Sequence, residues 1–118
     1  MTTTIYDSFD VVEVPFPFSD LPKSKIRKAL VLTPKSMNGP NGATTLMMIT
    51  SRSNSTWVGD THLTKWTEAG LKKPCYVRLK FFTPDNKLII KKVGELAQKD
   101  KDLVSNTLRK LIQPAKDI

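Results

Sequence analysis

Apolar residues along this chain gather in short runs, each too short for a globular helix and set off by Pro, Asn, Gly and Ser. Val11, Val12 and Val14, then Ala29 to Leu32, then Leu46 to Ile49 are the first three, and their length and β-branched content predict strands. The first loop holds Ser19, Asp20, Pro22, Lys23 and Lys25, and KSMNGPNGA at 35–43 is expected to be a turn-rich loop. Further on, GDTHLTKWTEAGLKKP predicts a short strand, about one helical turn and a Gly-Leu exit. CYVRLKFF alternates, with Tyr76 and Arg78 on one side and Val77 and Leu79 on the other, so Arg78 and Lys80 share a face. KLIIKKVGEL predicts the last strand, entered through a turn at TPDN.

One long helix follows. Leu103, Val104, Leu108, Leu111 and Ile112 fall on a single apolar stripe. Asp100 and Asp102 in the opening turn, Arg109 and Lys110 near the end, and Pro114 beyond it all suit the helix dipole. It is expected to be a packing element without a catalytic role. The pattern as a whole predicts a small antiparallel sheet with a C-terminal helix in one domain of 118 residues. An apolar fraction of 39% leaves little spare for the core, so exposed strand edges are expected to pair with a second copy in a homodimer.

The N-terminal MTTTIYDSFD carries acids and hydroxyls where a secretory signal needs an apolar stretch, and every apolar run is far short of a membrane span. A soluble cytoplasmic protein without membrane association is expected. One cysteine, Cys75, and one histidine, His62, rule out an internal disulfide and the usual Cys/His zinc set. The chemistry expected is therefore free of cofactor, and free of metal unless carboxylates alone hold a hard cation. Cys75 reads as a small buried side chain and His62 as a structural or surface histidine.

A net charge of +8 changes the picture. Lys23, Lys25, Arg27 and Lys28 crowd one strand junction, Lys72, Lys73, Arg78 and Lys80 a second, and Lys87, Lys91 and Lys92 a third. Such clusters attract polyanions, and they equally describe a solvated basic face. Phe16, Phe18, Trp57, Trp66, Tyr76, Phe81 and Phe82 lie close to these segments. Aromatics there suit either a surface that stacks unpaired bases or the filling of a small core. Trp57, in a polar loop, is expected to be partly exposed.

The succession FDVVEVPFPFSD, IRKALVLTP, MMITS, WVGDTHLTKWTEAGLKKPCYVRLKFFTPD and KLIIKKVGELAQKD resembles the PemK/MazF family of toxins from bacterial toxin–antitoxin pairs, over residues 7–112. The resemblance implies an α+β fold, an SH3-like, CcdB/PemK-type small barrel of antiparallel strands with a C-terminal helix. It also implies a growth-inhibiting, metal-independent endoribonuclease that cuts single-stranded RNA at selected sequences, leaving a 2′,3′-cyclic phosphate and a 5′-hydroxyl. The family's catalytic Arg falls on Arg27, its hydroxyl residue on Thr50, followed by Ser51, and its later Arg on Arg78. Lys25, Lys28, Arg52, Trp57 and Lys80 are the expected RNA-binding residues around them.

A guanidinium at Arg27 stays charged at any working pH and grips two phosphate oxygens, which suits charge that builds as a 2′-hydroxyl attacks phosphorus. Two positions depart from the family. Lys28 stands where proline commonly follows the catalytic Arg, and Lys80 stands where some members carry a basic carboxylate. A lysine cannot readily serve as the base, so Asp20 is the candidate, with a loop residue bonding its own backbone as its other reading. The partners implied are single-stranded RNA, a second copy, and a cognate antitoxin whose acidic or amphipathic tail would fill the RNA groove. Two other classes remain open on the same fold: a CcdB-like toxin that binds DNA gyrase without catalysis, and a nucleic-acid-binding SH3-like module without activity.

Overall fold

Among the described residues six strands form one antiparallel sheet: β1 (Asp10–Phe16), β2 (Lys25–Val31), β3 (Leu46–Ser51), β4 (Thr61–His62), β5 (Cys75–Phe82) and β6 (Lys91–Glu95). Two helices accompany them, α1 (Lys35–Asn41) and α2 (Gln98–Leu111). The computed structural model describes residues 2–16, 25–52 and 55–114. The spatial order is β4-β5-β3-β2-β1-β6, the α+β arrangement expected from the pattern of short apolar runs.

Both faces of the sheet's centre are covered, which is why Val11, Val12 and Val14 are all fully buried despite pointing to opposite sides. Val11, Leu30, Met47, Ile49 and Val77 pack on one face with Leu63, Leu71, Leu96 and Val104. Val12, Val14, Ala29, Val31 and Leu46 pack on the other with Tyr6 and Ile89.

The expected barrel is not closed by a strand ladder: among the described residues β4 and β6 are the two ends of the sheet. The segment between β4 and β5 meets β6 through glycine instead. A Cβ placed on Gly70 (φ +82°) would lie 2.2 Å from the Val93 carbonyl oxygen, and one on Gly94 would lie 2.5 Å from the Ala69 carbonyl. Only residues without a side chain let two backbones meet so closely. Ala69 and Leu71 thereby join the same core cluster as Val11 and Leu96.

Three expectations need correction. KSMNGPNGA is not a loop: residues 35–41 form α1 despite Pro40 within it. Its local propensity is poor, and tertiary hydrogen bonds choose the helix. The buried Asn38 amide donates to the Tyr6 and Thr33 carbonyls at 3.0 and 2.8 Å, while Asn86 Nδ2 donates to the Asn38 carbonyl at 2.8 Å. Gly42 then ends the helix with φ +69°.

The last strand starts only at Lys91, because Asn86–Leu88 form a 3-10 turn that Asp85 caps by accepting from the Lys87 amide. Along α2, Val104 is buried and Leu108 packs against the core, whereas Leu103, Leu111 and Ile112 stay exposed. Asp100 does more than complement the helix dipole: it is fully buried and accepts from the amides of Thr64 and Lys65, both at 2.9 Å. Among the described residues no helix is long and apolar enough to cross a membrane.

Gly94→Ala is expected to destabilise the fold by about 1–3 kcal/mol, the usual cost of overpacking. Gly39→Ala within α1, whose added Cβ would meet only the Ile5 side chain at 4.0 Å, is expected to stabilise by about 0.4–1 kcal/mol. Equilibrium urea unfolding of the two variants checks the opposite signs.

Candidate active site

Strand β2 is seven residues long, yet it pairs with β3 only through Ala29–Met48, Leu30–Met47 and Val31–Leu46. Beyond Ala29 and Met48 the strands part. Continued in the same register, Arg27 would stand opposite Thr50. The space between them is an open recess of about 230 Å³ lined by Ile26, Arg27, Lys28, Ile49, Thr50, Ser51, Lys73 and Cys75. Arg27, Thr50 and Ser51, singled out from separate stretches of sequence, are thus brought to one place.

On the other side of β3, Thr50 pairs with Tyr76 of β5, and Tyr76 pairs with His62 of β4. Strand alternation puts these residues in one row across the sheet. The Tyr76 and His62 rings sit 4.5 Å apart, and the Arg52 guanidinium lies 6.0 Å from the centre of the Tyr76 ring. Next along β5, Met48 alone faces Arg78, Leu79 and Lys80, because the ladder runs from Met47–Phe81 directly to Ile49–Val77. Such bulges re-aim side chains. Lys80 here leans over the Phe16 ring at 5.2 Å.

Arg78 is buried and bound. Its Nε and Nη2 donate to Asp60 Oδ1 and Oδ2 at 3.0 and 2.9 Å, and Nη2 also donates to the Ser55 carbonyl at 2.6 Å. Burial alone would push the Asp60 carboxyl up, but the hydrogen bond and charge of Arg78 together with the Trp57 amide hold it below its ordinary value. The same pairing raises Arg78 further. Trp57, as expected, is partly exposed, at 47%, with the Arg78 guanidinium 4.7 Å from its ring centre.

Several of the clustered cations are neutralised. Lys28 reaches Glu13 at 3.0 Å, Lys91 reaches the same carboxylate at 3.6 Å, and Lys92 reaches Asp10 at 3.1 Å. Arg27 makes no ion pair among the described residues, and with Asp10 engaged by Lys92 it is left to face the recess. Lys25, Arg52 and Lys73 are exposed around it. Asp20 and Phe18 lie outside the described residues. Cys75 is buried at the base of the recess, and burial pushes its thiol up against the pull of Lys73 and Lys28, so it stays a thiol at neutral pH.

Sequence reasoning passed over Asp60, and it gave neither Tyr76 nor His62 a place in the row. Alternation along CYVRLKFF already set Tyr76 beside Arg78. Nothing local could have joined Asp60 to an arginine 18 residues away.

Fold and recess together define a small α+β domain with a cationic face that carries hydroxyl groups. The family model for PemK-like, MazF-like toxins of type II toxin–antitoxin systems matches residues 7–112, and the chain belongs to that family. No curated protein matches its sequence. Among solved structures, it is similar to the MazE–MazF complex from Deinococcus radiodurans, with a TM-score of 0.71 at 19% identity over 95% of this chain and 99% of the other. It is similar also to a mycobacterial endoribonuclease in complex with its cognate antitoxin, at 0.69 and 10% over 92% and 99%. The Mycobacterium tuberculosis toxin MazF-mt6 superposes at 0.66 and 16%, over 86% and 93%. At these identities the likeness to the solved structures is one of fold.

Asp60 and Arg78 are nearly inaccessible, with side-chain exposures of 4% and 9%. Removing the acid strands a buried cation, so Asp60→Asn is expected to cost about 3–5 kcal/mol of stability at pH 7. Because the Asp60 carboxyl is held below its ordinary 3.8, its contribution is complete above that pH and is lost as pH falls through the lower folded value. Urea unfolding across a pH series should show the gap between wild type and variant shrinking in acid. A gap of constant size would refute the assignment.

Proposed function

We propose that this toxin acts in the cytoplasm as a metal-independent endoribonuclease on single-stranded RNA. The observation that carries the reading is the convergence of Arg27, Thr50 and Ser51 on one recess. In the proposed reaction the ribose 2′-hydroxyl gives up its proton as its oxygen attacks the adjacent phosphorus, the bond to the 5′-oxygen breaks, and that oxygen takes up a proton. The products are a 2′,3′-cyclic phosphate and a 5′-hydroxyl.

Negative charge grows on the phosphoryl oxygens as the attack proceeds, so a fixed cation helps the transition state more than the ground state. Arg27, without an acid partner among the described residues, has its guanidinium available for two of those oxygens. Thr50 and Ser51 add hydroxyl hydrogen bonds to the same phosphate. Lys25, Arg52, Lys73 and Lys80 supply the field that draws the polyanion in. Lys28 contributes less than its position suggests, because Glu13 holds it at 3.0 Å. The solved endoribonuclease of similar fold in complex with its cognate antitoxin supports this reading, with an antitoxin peptide as the natural competitor for the face and a homodimer as the working unit.

The test is incubation of a long unstructured RNA with the purified protein in excess EDTA, with the new ends mapped. Discrete cuts with 5′-hydroxyl ends are expected. Arg27→Ala is expected to slow them by about a hundred- to thousandfold, as for loss of one oxyanion donor, and Thr50→Val to slow them less. RNA binding without cutting, or an Arg27→Ala protein as fast as wild type, would remove the proposal.

A further inference from the structure

Asp60 has no part in the chemistry just described, yet its buried carboxylate ties a loop to a strand. It accepts from Arg78 Nε and Nη2 on β5 and from the Trp57 amide at 2.8 Å. The Asp60 amide returns a bond to the Trp57 carbonyl at 3.2 Å, closing a β-turn whose third residue, Gly59, has φ +93°. A side chain at Gly59 would strike Leu79 at 2.8 Å, so the turn sits tight against β5. Arg78 Nη2 completes the clamp on the Ser55 carbonyl.

A guanidinium with Nε and Nη2 already committed is poorly placed to grip a phosphate in two-pronged fashion. Its plane serves instead as a floor beneath an indole, at 4.7 Å from the ring centre, while 47% of Trp57 stays exposed. The location matters as much as the geometry. Tyr76 faces Thr50 across the ladder, and Arg78, two residues on, opens the bulge of β5 opposite Met48. The indole over Arg78 thus lies against β5, the strand that pairs with β3 at Thr50.

We propose that Asp60 is a positioning residue that holds Trp57 as a stacking platform for an unpaired base next to the phosphate at Arg27 and Thr50. The proposal takes the identity of its ligand from the ribonuclease reading. An indole ordered in advance loses little freedom on binding, and stacking on an aromatic face is worth enough to fix one nucleotide of the bound strand.

The test uses the full-length protein and a pool of 2′-O-methyl RNA heptamers, which lack the attacking hydroxyl and cannot be cut. Binding is expected to quench tryptophan fluorescence in the wild type and to leave the remaining Trp66 signal of Trp57→Phe unchanged. Measured by anisotropy of labelled heptamer, Trp57→Ala is expected to weaken binding roughly five- to hundredfold. Asp60→Asn, at a temperature where circular dichroism shows it folded, should weaken binding comparably, and Asp60→Glu should recover part of the loss.

In cleavage of long RNA, Trp57→Ala and Asp60→Asn should raise KM more than they lower kcat, and relax the preference at the same single position of the cut sequence. Unchanged affinity in Trp57→Ala, or a folded Asp60→Asn with wild-type affinity and cut preference, overturns the proposal. Quenching without any cleavage would keep the platform and remove the catalytic reading. Cleavage by a protein whose fluorescence ignores RNA would do the reverse.

Discussion

The contact of Gly70 with Val93 and of Gly94 with Ala69 is the constraint on which the rest of the molecule depends. Without it the segment between β4 and β5 could not pack on β6, and Leu63, Ala69 and Leu71 on one side would have no reason to meet Leu96 and Val104 on the other. With it, these residues share one core with the central strands. Curvature follows from that enclosure. Strands β2 and β3 separate early, beyond Ala29 and Met48. The recess at Arg27 lies where they part.

Electrostatics on this face is a matter of subtraction. Glu13 engages Lys28 and Lys91, Asp10 engages Lys92, and Asp60 engages Arg78. The pairs that leave their lysines partly in water contribute little to stability, about 0–1 kcal/mol each, but they decide where positive potential remains. Among the described residues of this face it remains around Lys25, Arg27, Arg52, Lys73 and Lys80. The buried pair is different in kind, because neither partner can fall back on water.

Much of this was legible in the sequence for a definite reason. Strand alternation has a period of two, so the apolar runs could be read from spacing alone, whereas the bulge of β5 opposite Met48, which breaks the alternation expected to put Arg78 and Lys80 on one face, could not. Arg27 and Thr50 sit at the ends of such runs, and antiparallel pairing brings those ends together. What could not be read depends on contacts distant in sequence. Asn38 makes a helix of a Gly- and Pro-rich stretch through its bonds to Tyr6, and through the bond its carbonyl receives from Asn86. The α2 stripe is wider than the surface that covers it, which leaves Leu111 and Ile112 outside. Arg78 looked like a free cation because its partner lies in a separate loop.

The strand order has a further consequence, for the making of the protein. β1, β2 and β3, which carry the recess wall, leave the ribosome first, but the partner of β1 on its far side is β6, with Asp10 paired to Glu95. Pairings so distant in sequence form late. A nascent chain therefore displays Arg27 and Thr50 on an incomplete sheet whose glycine seam cannot yet close. Topology itself thus delays completion of the sheet until nearly the whole polypeptide has emerged.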